Sequence, residues 1–171
     1  FYGKTPETFF KKADYIIPPA SLPKDAELFK KIDKPILELC DVIEMIQPEK
    51  PVFGITGTNG KTTTTSLVYE IMRDYDKDTL LVGNIEIPYT GLALTSKDGG
   101  TTVAEISSFQ LETMITFRPR VSAILNITPD HLDRHKTMEN YADIKKSIAK
   151  NQGADDFCIL NYEDPYLKDF G

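Results

Sequence analysis

The chain has 171 residues, 40% of them apolar, which is enough for the core of one ordinary domain with a small appendage. Its formal net charge of −6 and isoelectric point near 5.0 argue against a general surface for nucleic acid or anionic membranes, although an acidic chain can still bind a nucleotide. No apolar run reaches membrane-spanning length, no signal peptide is visible, and Cys40 and Cys158 lie in apolar stretches without metal-ligand spacing, so we expect buried thiols and a cytoplasmic protein.

Short elements are predicted in the first part of the chain. The sequence favours a strand at 13–18, a helix at 23–32, a strand beginning at Pro35 and a helix over 38–46. The polar stretch 47–51 contains two prolines and is typical of a linker. We therefore predict two domains, 1–47 and 48–171.

After this linker, strands and helices alternate along the chain. Strands are predicted at 52–56, 79–82, 101–106, 121–127 and 156–160, and helices at 61–75, 108–116 and 137–151. Such alternation implies an α/β fold with a mostly parallel sheet and helices on both faces. Because ligands of these sheets lie beyond the carboxyl ends of the strands, we expect the functional residues at the strand exits.

The first of these strand exits carries a glycine-rich turn, Lys-Thr and a helix, which is the layout of a phosphate-binding loop. The glycines let backbone N–H groups point inward, the helix adds its positive end, and Lys61 can reach the β- and γ-phosphates. The Thr62 hydroxyl can bind Mg²⁺. Ile55 replaces the first glycine of the general motif, so the loop is a variant. The predicted nucleotide ligands are Gly57, Thr58, Asn59, Gly60, Lys61, Thr62 and Thr63.

The exit of the strand at 101–106 carries a further acid. Glu105 stands in an otherwise apolar strand, and a buried carboxylate there needs a partner such as Mg²⁺. Ser107 can cap the following helix, with Gln110 one turn further on. Ser108 and Glu112 are interpreted as an ordinary cap residue and a solvated helix residue.

Other polar candidates follow the remaining strands. Both histidines of the chain lie in the segment 126–135, and we favour a functional role for His131, whereas His135 can equally be structural. Asn84 follows the second strand, where its amide can bind a phosphate or acyl oxygen or simply complete a turn. Lys145, on the last predicted helix, would by itself be assigned to a solvated face.

In combination, these segments resemble the Mur ligases. The resemblance rests on 57–63, 83–85, 105–112, 126–135 and the Tyr141-x-x-x-Lys145 pair, and it covers 50–163. The run 105–112 indicates the branch that adds D-glutamate to UDP-N-acetylmuramoyl-L-alanine in peptidoglycan synthesis. Members of the family have three domains, which bind the UDP-sugar, ATP and the incoming amino acid. The resemblance thus implies a P-loop NTPase-like central domain with a remnant of the first domain.

The resemblance also implies ATP, two Mg²⁺ sites and roles for individual residues. It places one Mg²⁺ on Thr62 and Glu105, and a second on His131 and Lys145, with Lys145 carbamylated so that it offers anionic oxygens. It assigns contacts with the acyl substrate to Asn84, Ser107 and Gln110, and the orientation of His131 to Asp130. The catalytic set is then Lys61, Asn84, His131 and Lys145.

The implied reaction is ATP-driven amide-bond formation through an acyl phosphate. Its partners are a carboxylate substrate, here a UDP-sugar amino acid, and an amino acid, and we expect a monomer that binds neither nucleic acid nor membrane. Two alternatives stay open. One is another Mur-type ligase, acting on archaeal pseudomurein peptides, on the nickel tetrapyrrole of methanogens or in folylpolyglutamate synthesis. The other is a non-catalytic nucleotide-binding fragment. In either case we expect the isolated chain to be inactive.

Overall fold

The computed structural model describes residues 11–23, 26–27, 29–38, 41–42, 45, 51–85 and 100–171. The strands in this part of the chain are β1 (Val52–Thr56), β2 (Leu80–Gly83), β3 (Thr102–Glu105), β4 (Val121–Ile124) and β5 (Phe157–Leu160). The α-helices are α1 (Lys61–Tyr75), α2 (Ser108–Leu111), α3 (Leu132–His135) and α4 (Met138–Lys146), and 3₁₀ turns form at Phe29–Lys31 and Ser147–Ala149.

The five strands form one sheet in the order β2-β3-β1-β4-β5, and every pair is parallel. From β1 the chain moves to the β2 edge through α1, whereas from β3 it moves in the opposite direction to β4 through α2. Right-handed crossovers in opposite directions place their helices on opposite faces of the sheet. The predicted α/β fold, with a parallel sheet covered on both faces, is confirmed.

The core lies between the sheet and the helices. Residues that are at most 1% exposed include Val82, Val103, Ala104, Phe117, Tyr141, Ile148 and Leu167. Gly54 allows close packing here, because a Cβ at this position would lie 3.3 Å from the Ile148 side chain and 3.3 Å from Pro119. Tyr141 and Ile148 are buried on the same side of the last helical segment, as the spacing predicts.

Two elements are shorter than the sequence predicts, because partners remote in sequence take their backbone groups. β4 ends at Ile124, and within the predicted strand the Ile127 N–H donates instead to the Asp164 carboxylate at 2.7 Å. α2 ends at Leu111 instead of 116, because the Asp41 carboxylate binds the N–H groups of residues 115–117 at 2.6–3.1 Å.

In the first part of the chain, residues 41, 42 and 45 are helical as the predicted helix over 38–46 requires, but two other elements are shorter than predicted. The strand at 13–18 is reduced to one parallel bridge between Ile16 and Ile36, and the helix at 23–32 to the Phe29–Lys31 turn, with 24–25 and 28 outside the described residues. Most of the 47–51 linker also lies outside them. The boundary at 47 stays a prediction.

β5 is an edge strand, and this position exposes its side chains. Phe157 and Ile159 are about three-fifths exposed, and Cys158 is an exposed free thiol. The prediction of a buried Cys158 is therefore wrong, because no further strand or helix in the described part covers β5; Cys40 lies outside the described residues. None of the helices in the described ranges combines the length and apolarity that crossing a bilayer requires.

Candidate functional site

The loop 57–60, between β1 and α1, has the geometry of an anion-binding loop. Gly60 adopts φ 80°, and Gly57 adopts φ 149° with its missing Cβ only 3.0 Å from the Leu125 Cβ. No side chain caps the N-terminus of α1, so the first turn presents its backbone N–H groups outward. Lys61 folds over the loop and donates from Nζ to Thr58 O at 2.8 Å.

The residues after β4 hold this loop in place. Asn126 accepts the Asn59 N–H at 2.9 Å and donates its amide to Asn59 O at 3.0 Å. The Thr58 hydroxyl donates to Thr128 O at 3.1 Å and lies 3.2 Å from the Tyr141 hydroxyl. Sequence reasoning assigned no role to Asn126 or Thr128, although an amide directly after a predicted strand was a signal for one.

Glu105 lies at the centre of a second cluster, at the carboxyl end of β3. It is 2% exposed, and its two oxygens accept hydrogen bonds from Thr62 Oγ1 at 2.7 Å and Asn84 Nδ2 at 3.0 Å. The parallel register explains why Thr62 and Asn84 both reach Glu105, because Glu105 pairs with Gly83 on one side and with Ile55 on the other. Both hydrogen-bond donors are neutral, so they leave the negative charge of the carboxylate in place.

Gly83 is required for this cluster. Its φ is 105°, and a Cβ would lie 2.2 Å from Glu105 O, which accepts the Asn84 N–H at 2.9 Å. Gly83→Ala is expected to lower the free energy of unfolding by about 3 kcal/mol, through left-handed strain and this backbone clash. Urea denaturation measures it, with Gly153→Ala as the control, since a Cβ there would meet the ends of the Arg118 and Asp156 side chains, at 3.2 and 3.9 Å, and no backbone atom within 3.9 Å. Equal losses in both variants would contradict the explanation.

Ser107 and Gln110 form a capping box at the start of α2. The Ser107 N–H and hydroxyl both lie 2.9 Å from Gln110 Oε1, and the Gln110 N–H donates back to Ser107 Oγ at 3.3 Å. The predicted capping role of Ser107 is confirmed. Ser108 is not the cap; it is buried, with Oγ 3.0 Å from His135 Nε2.

The two histidines have different surroundings. His131 adopts φ 50° in the turn before α3, its side chain is 48% exposed, and Nε2 lies 3.4 Å from Asp130 Oδ2. His135 is fully buried, and burial holds its pKa below the usual range, with Glu112 opposing the shift. Its contact with Ser108 gives His135 a structural role, whereas His131 faces the site.

Lys145 is buried beneath the phosphate loop. It is 1% exposed and donates from Nζ to Gly57 O at 2.8 Å. Burial and, to a smaller extent, nearby Lys61 lower its pKa, Asp130 partly offsets both effects, and the resulting pKa is about 7. A solvated Lys145, which the helix pattern alone suggests, is therefore wrong.

These groups converge on one cleft. Its walls are formed by Lys61, Asn84, Ser107, Ser108, Phe109, Asp130, His131, Tyr141 and Lys145. The cleft thus contains every residue of the predicted catalytic set. Gln110 is not in its walls; it is 4% exposed, with its amide oxygen taken up by Ser107.

The donor groups determine which metal sites are possible. Thr62 and Glu105 offer hard oxygen ligands 2.7 Å apart, with an uncompensated carboxylate, and they fit Mg²⁺. The described residues contain no group of three or more His, Cys, Asp or Glu that could hold a metal. A second site on His131 therefore needs Lys145, and Lys145 fits only if its amine is converted into an anionic ligand.

Comparison with known proteins identifies the family of the chain. The Mur ligase middle domain matches residues 55–171. The chain is 49% identical over 157 residues to UDP-N-acetylmuramoylalanine–D-glutamate ligase of Lachnoclostridium phytofermentans, covering 91% of this chain and 35% of that protein. It is 47% identical over 171 residues to the ligase of that name from Lachnospira eligens, covering 98% and 38%. The chain thus spans little more than a third of the length of these relatives.

Solved structures show the same fold. UDP-N-acetylmuramate:L-alanyl-gamma-D-glutamyl-meso-diaminopimelate ligase from Neisseria meningitides superposes with a TM-score of 0.63 at 15% identity, covering 92% of this chain and 55% of that one. MurF from Acinetobacter baumannii gives 0.58 at 20% identity, covering 85% and 34%. Because the middle-domain match extends over more than half of its residues, the chain belongs to the Mur ligase family.

Proposed function

We propose that this chain is the ATP-binding part of a ligase that joins D-glutamate to UDP-N-acetylmuramoyl-L-alanine. The observation that carries the proposal is one cleft lined by Lys61 after the phosphate loop, by Asn84 of the Glu105 cluster and by the buried Lys145. The names of relatives that are 47–49% identical supply the substrates. In this proposal 1–47 belongs to the domain that binds the UDP-sugar, and 48–171 to the domain that binds ATP.

The phosphate loop would bind the triphosphate of ATP. The free N–H groups at the start of α1 favour anionic oxygens, and Lys61 adds a full positive charge. To reach the β- and γ-phosphates, Lys61 would exchange its bond to Thr58 O for phosphate oxygens. Thr62 and Glu105 would hold one Mg²⁺. When bound, the metal ions supply charge neutralisation for two anionic reactants.

The acyl substrate would lie between the phosphate loop and α2. An oxygen of its carboxylate attacks the γ-phosphorus, the bond to ADP breaks, and an acyl phosphate forms. The neutral amine of D-glutamate then attacks the acyl carbon, an N–C bond forms, the nitrogen releases one proton, and phosphate leaves with the electron pair of the C–O bond. Asn84 and Ser107 would contact the carboxylate, since both line the cleft. Gln110 would orient Ser107 through the capping box.

Lys145 and His131 would form the second metal site after Lys145 is carbamylated. The neutral amine adds to the carbon of CO₂, an N–C bond forms, and one proton is released. A pKa near 7 means that a large fraction of Lys145 is neutral and reactive at physiological pH. His131 is oriented for this role by Asp130.

Location and assembly follow from the proposed substrates and site. ATP and a UDP-linked precursor are intracellular compounds, so we place the reaction in the cytoplasm. The cleft is built from the residues of one chain, and a monomer suffices for it.

The test of the proposal is phosphate release by the full-length ligase. With Mg-ATP and UDP-N-acetylmuramoyl-L-alanine, release is expected to depend on D-glutamate, and L-glutamate serves as the matched control. The isolated 171-residue chain is expected to bind ATP weakly and to release no phosphate in response to D-glutamate, because it spans about a third of the length of its relatives. Equal stimulation by both enantiomers, or turnover by the isolated chain, would overturn the proposal.

A further inference from the structure

We propose that Arg134 is a positioning residue that holds His131 in the cleft, acting through Glu112 and Phe109. The inference deepens the proposed function and rests on it for the effect on catalysis. Arg134 follows His131 by three residues, on α3, and it has no part in the reaction described above.

The Arg134 guanidinium is fixed by a paired carboxylate. Nε lies 3.2 and 3.1 Å from the two oxygens of Glu112, and Nη2 lies 2.6 Å from one of them. The side chains are only 13% and 9% exposed, so the pair is largely removed from solvent. A two-pronged arrangement of this kind fixes the plane of the guanidinium, which a lysine ammonium cannot reproduce.

This fixed guanidinium supports an aromatic ring that contacts His131. The Arg134 Cζ lies 4.3 Å from the centroid of Phe109, and the Phe109 ring lies 4.8 Å from the imidazole of His131. Phe109 and His131 both line the cleft. Glu112, Arg134, Phe109 and His131 therefore contact one another in this order, from a buried ion pair to the cleft. We call these four side chains the stack.

The His131 carbonyl accepts the N–H groups of Arg134 and His135, but among the described residues few groups restrain its side chain. Its side chain is 48% exposed, its backbone is left-handed, and its polar contact is with the adjacent Asp130, which is itself 41% exposed. Packing against Phe109 fixes the position of the imidazole relative to α2, the helix whose start is capped by Ser107 and Gln110.

Arg134 also reaches the first part of the chain. It donates from Nη1 to Ser21 O at 2.9 Å and from Nη2 to Leu22 O at 3.2 Å. One side chain thus links the turn that carries His131, helix α2 and the segment at 21–22. This position suits a residue that aligns the proposed UDP-sugar side of the site with the ATP side.

A direct readout of this role is the nuclear magnetic resonance of the imidazoles. The chain contains two histidines, so His131→Gln assigns both sets of ring signals. Arg134→Lys is expected to shift the His131 ring signals, because the Phe109 ring current acts on them. Arg73→Lys is the control, since Arg73 forms an exposed pair with Glu70 on α1. Unshifted His131 signals in Arg134→Lys would overturn the inference.

The kinetic readout uses the full-length ligase. Arg134→Lys is expected to lower kcat by about 10- to 100-fold, with little change in the KM for ATP, because the phosphate loop is untouched. If Arg134→Lys does not fold, Glu112→Gln tests the same stack with the guanidinium retained. Unchanged kcat in a variant with shifted His131 signals would also count against the role. An inactive wild-type ligase would refute the proposed function, and the imidazole signals alone would then decide whether Arg134 positions His131.

Discussion

Replacing Lys61 by alanine in the full-length ligase is expected to reduce acyl-phosphate formation by about 10³-fold or more. Lys61 is the first residue of α1, and its ammonium group lies over the phosphate loop, 2.8 Å from Thr58 O. The first step of the proposed reaction brings a carboxylate onto a triphosphate, so repulsion between anions is expected to dominate its barrier. Removing the one full positive charge on the loop leaves backbone dipoles to offset that repulsion.

The measurement is the trapping of the acyl phosphate with hydroxylamine, together with D-glutamate-dependent phosphate release. Lys77→Ala is the matched control. Lys77 lies beyond the end of α1, its side chain is 74% exposed, and it pairs with Asp74. The control is expected to turn over at the wild-type rate. Wild-type turnover in Lys61→Ala would exclude the phosphate-loop assignment.

The parallel sheet and its phosphate loop are predictable from sequence because their determinants are local. Alternating apolar segments fix the order of the elements, and α1 has the bounds 61–75 that the sequence predicts. Gly60, in a left-handed conformation, sets the start of this helix. The convergence of Lys61, Asn84 and His131 then follows from the rule that parallel strands bring their carboxyl ends to one edge.

Other features depend on contacts between residues that are far apart in sequence. Glu112 reads as a solvated helix residue, yet its side chain is 9% exposed because Arg134 and His135 lie against it. The helix predicted to reach 116 stops at Leu111, since Asp41, more than 70 residues earlier, takes the N–H groups of residues 115–117. Periodicity carries no information about such partners.

Lys145 shows this limit most clearly. Its helical neighbours suggest a solvated face, and only the resemblance to the Mur ligases gave it a role. In the structure it is 1% exposed, under the loop that α1 and β4 position. The burial of Lys145 also affects the stability of the fold, and sequence patterns do not reveal this effect.

Lys145→Met in the isolated chain is expected to raise the free energy of unfolding at pH 7 in CO₂-free buffer, on the order of 3 kcal/mol. Burial lowers the pKa of Lys145 to about 7 from 10.5, so the unfolded chain binds a proton that the folded chain holds only in part. This difference destabilises the wild-type fold. Methionine removes it, at the cost of the hydrogen bond to Gly57 O.

The pH dependence of the free energy of unfolding checks the sign of this effect independently. Between pH 7 and 10.5 the unfolded state of the wild type binds more protons than the native state, so the contribution of Lys145 to stability rises with pH. The advantage of Lys145→Met is therefore expected to shrink from pH 7 to pH 9 in urea denaturation. Lys77→Met, at an exposed position, is expected to change stability little at either pH. If the gain in stability of Lys145→Met is the same at both pH values, burial does not lower the pKa of Lys145.

The same substitution is expected to abolish ligation by the full-length enzyme, because methionine cannot form a carbamate. A variant that is more stable and inactive would show that the buried amine is retained for chemistry at the expense of the fold. A structural lysine would behave in the opposite way, since its removal would lower stability and leave turnover largely intact. Measuring both quantities on Lys145→Met therefore separates the two roles without requiring that the metal be observed.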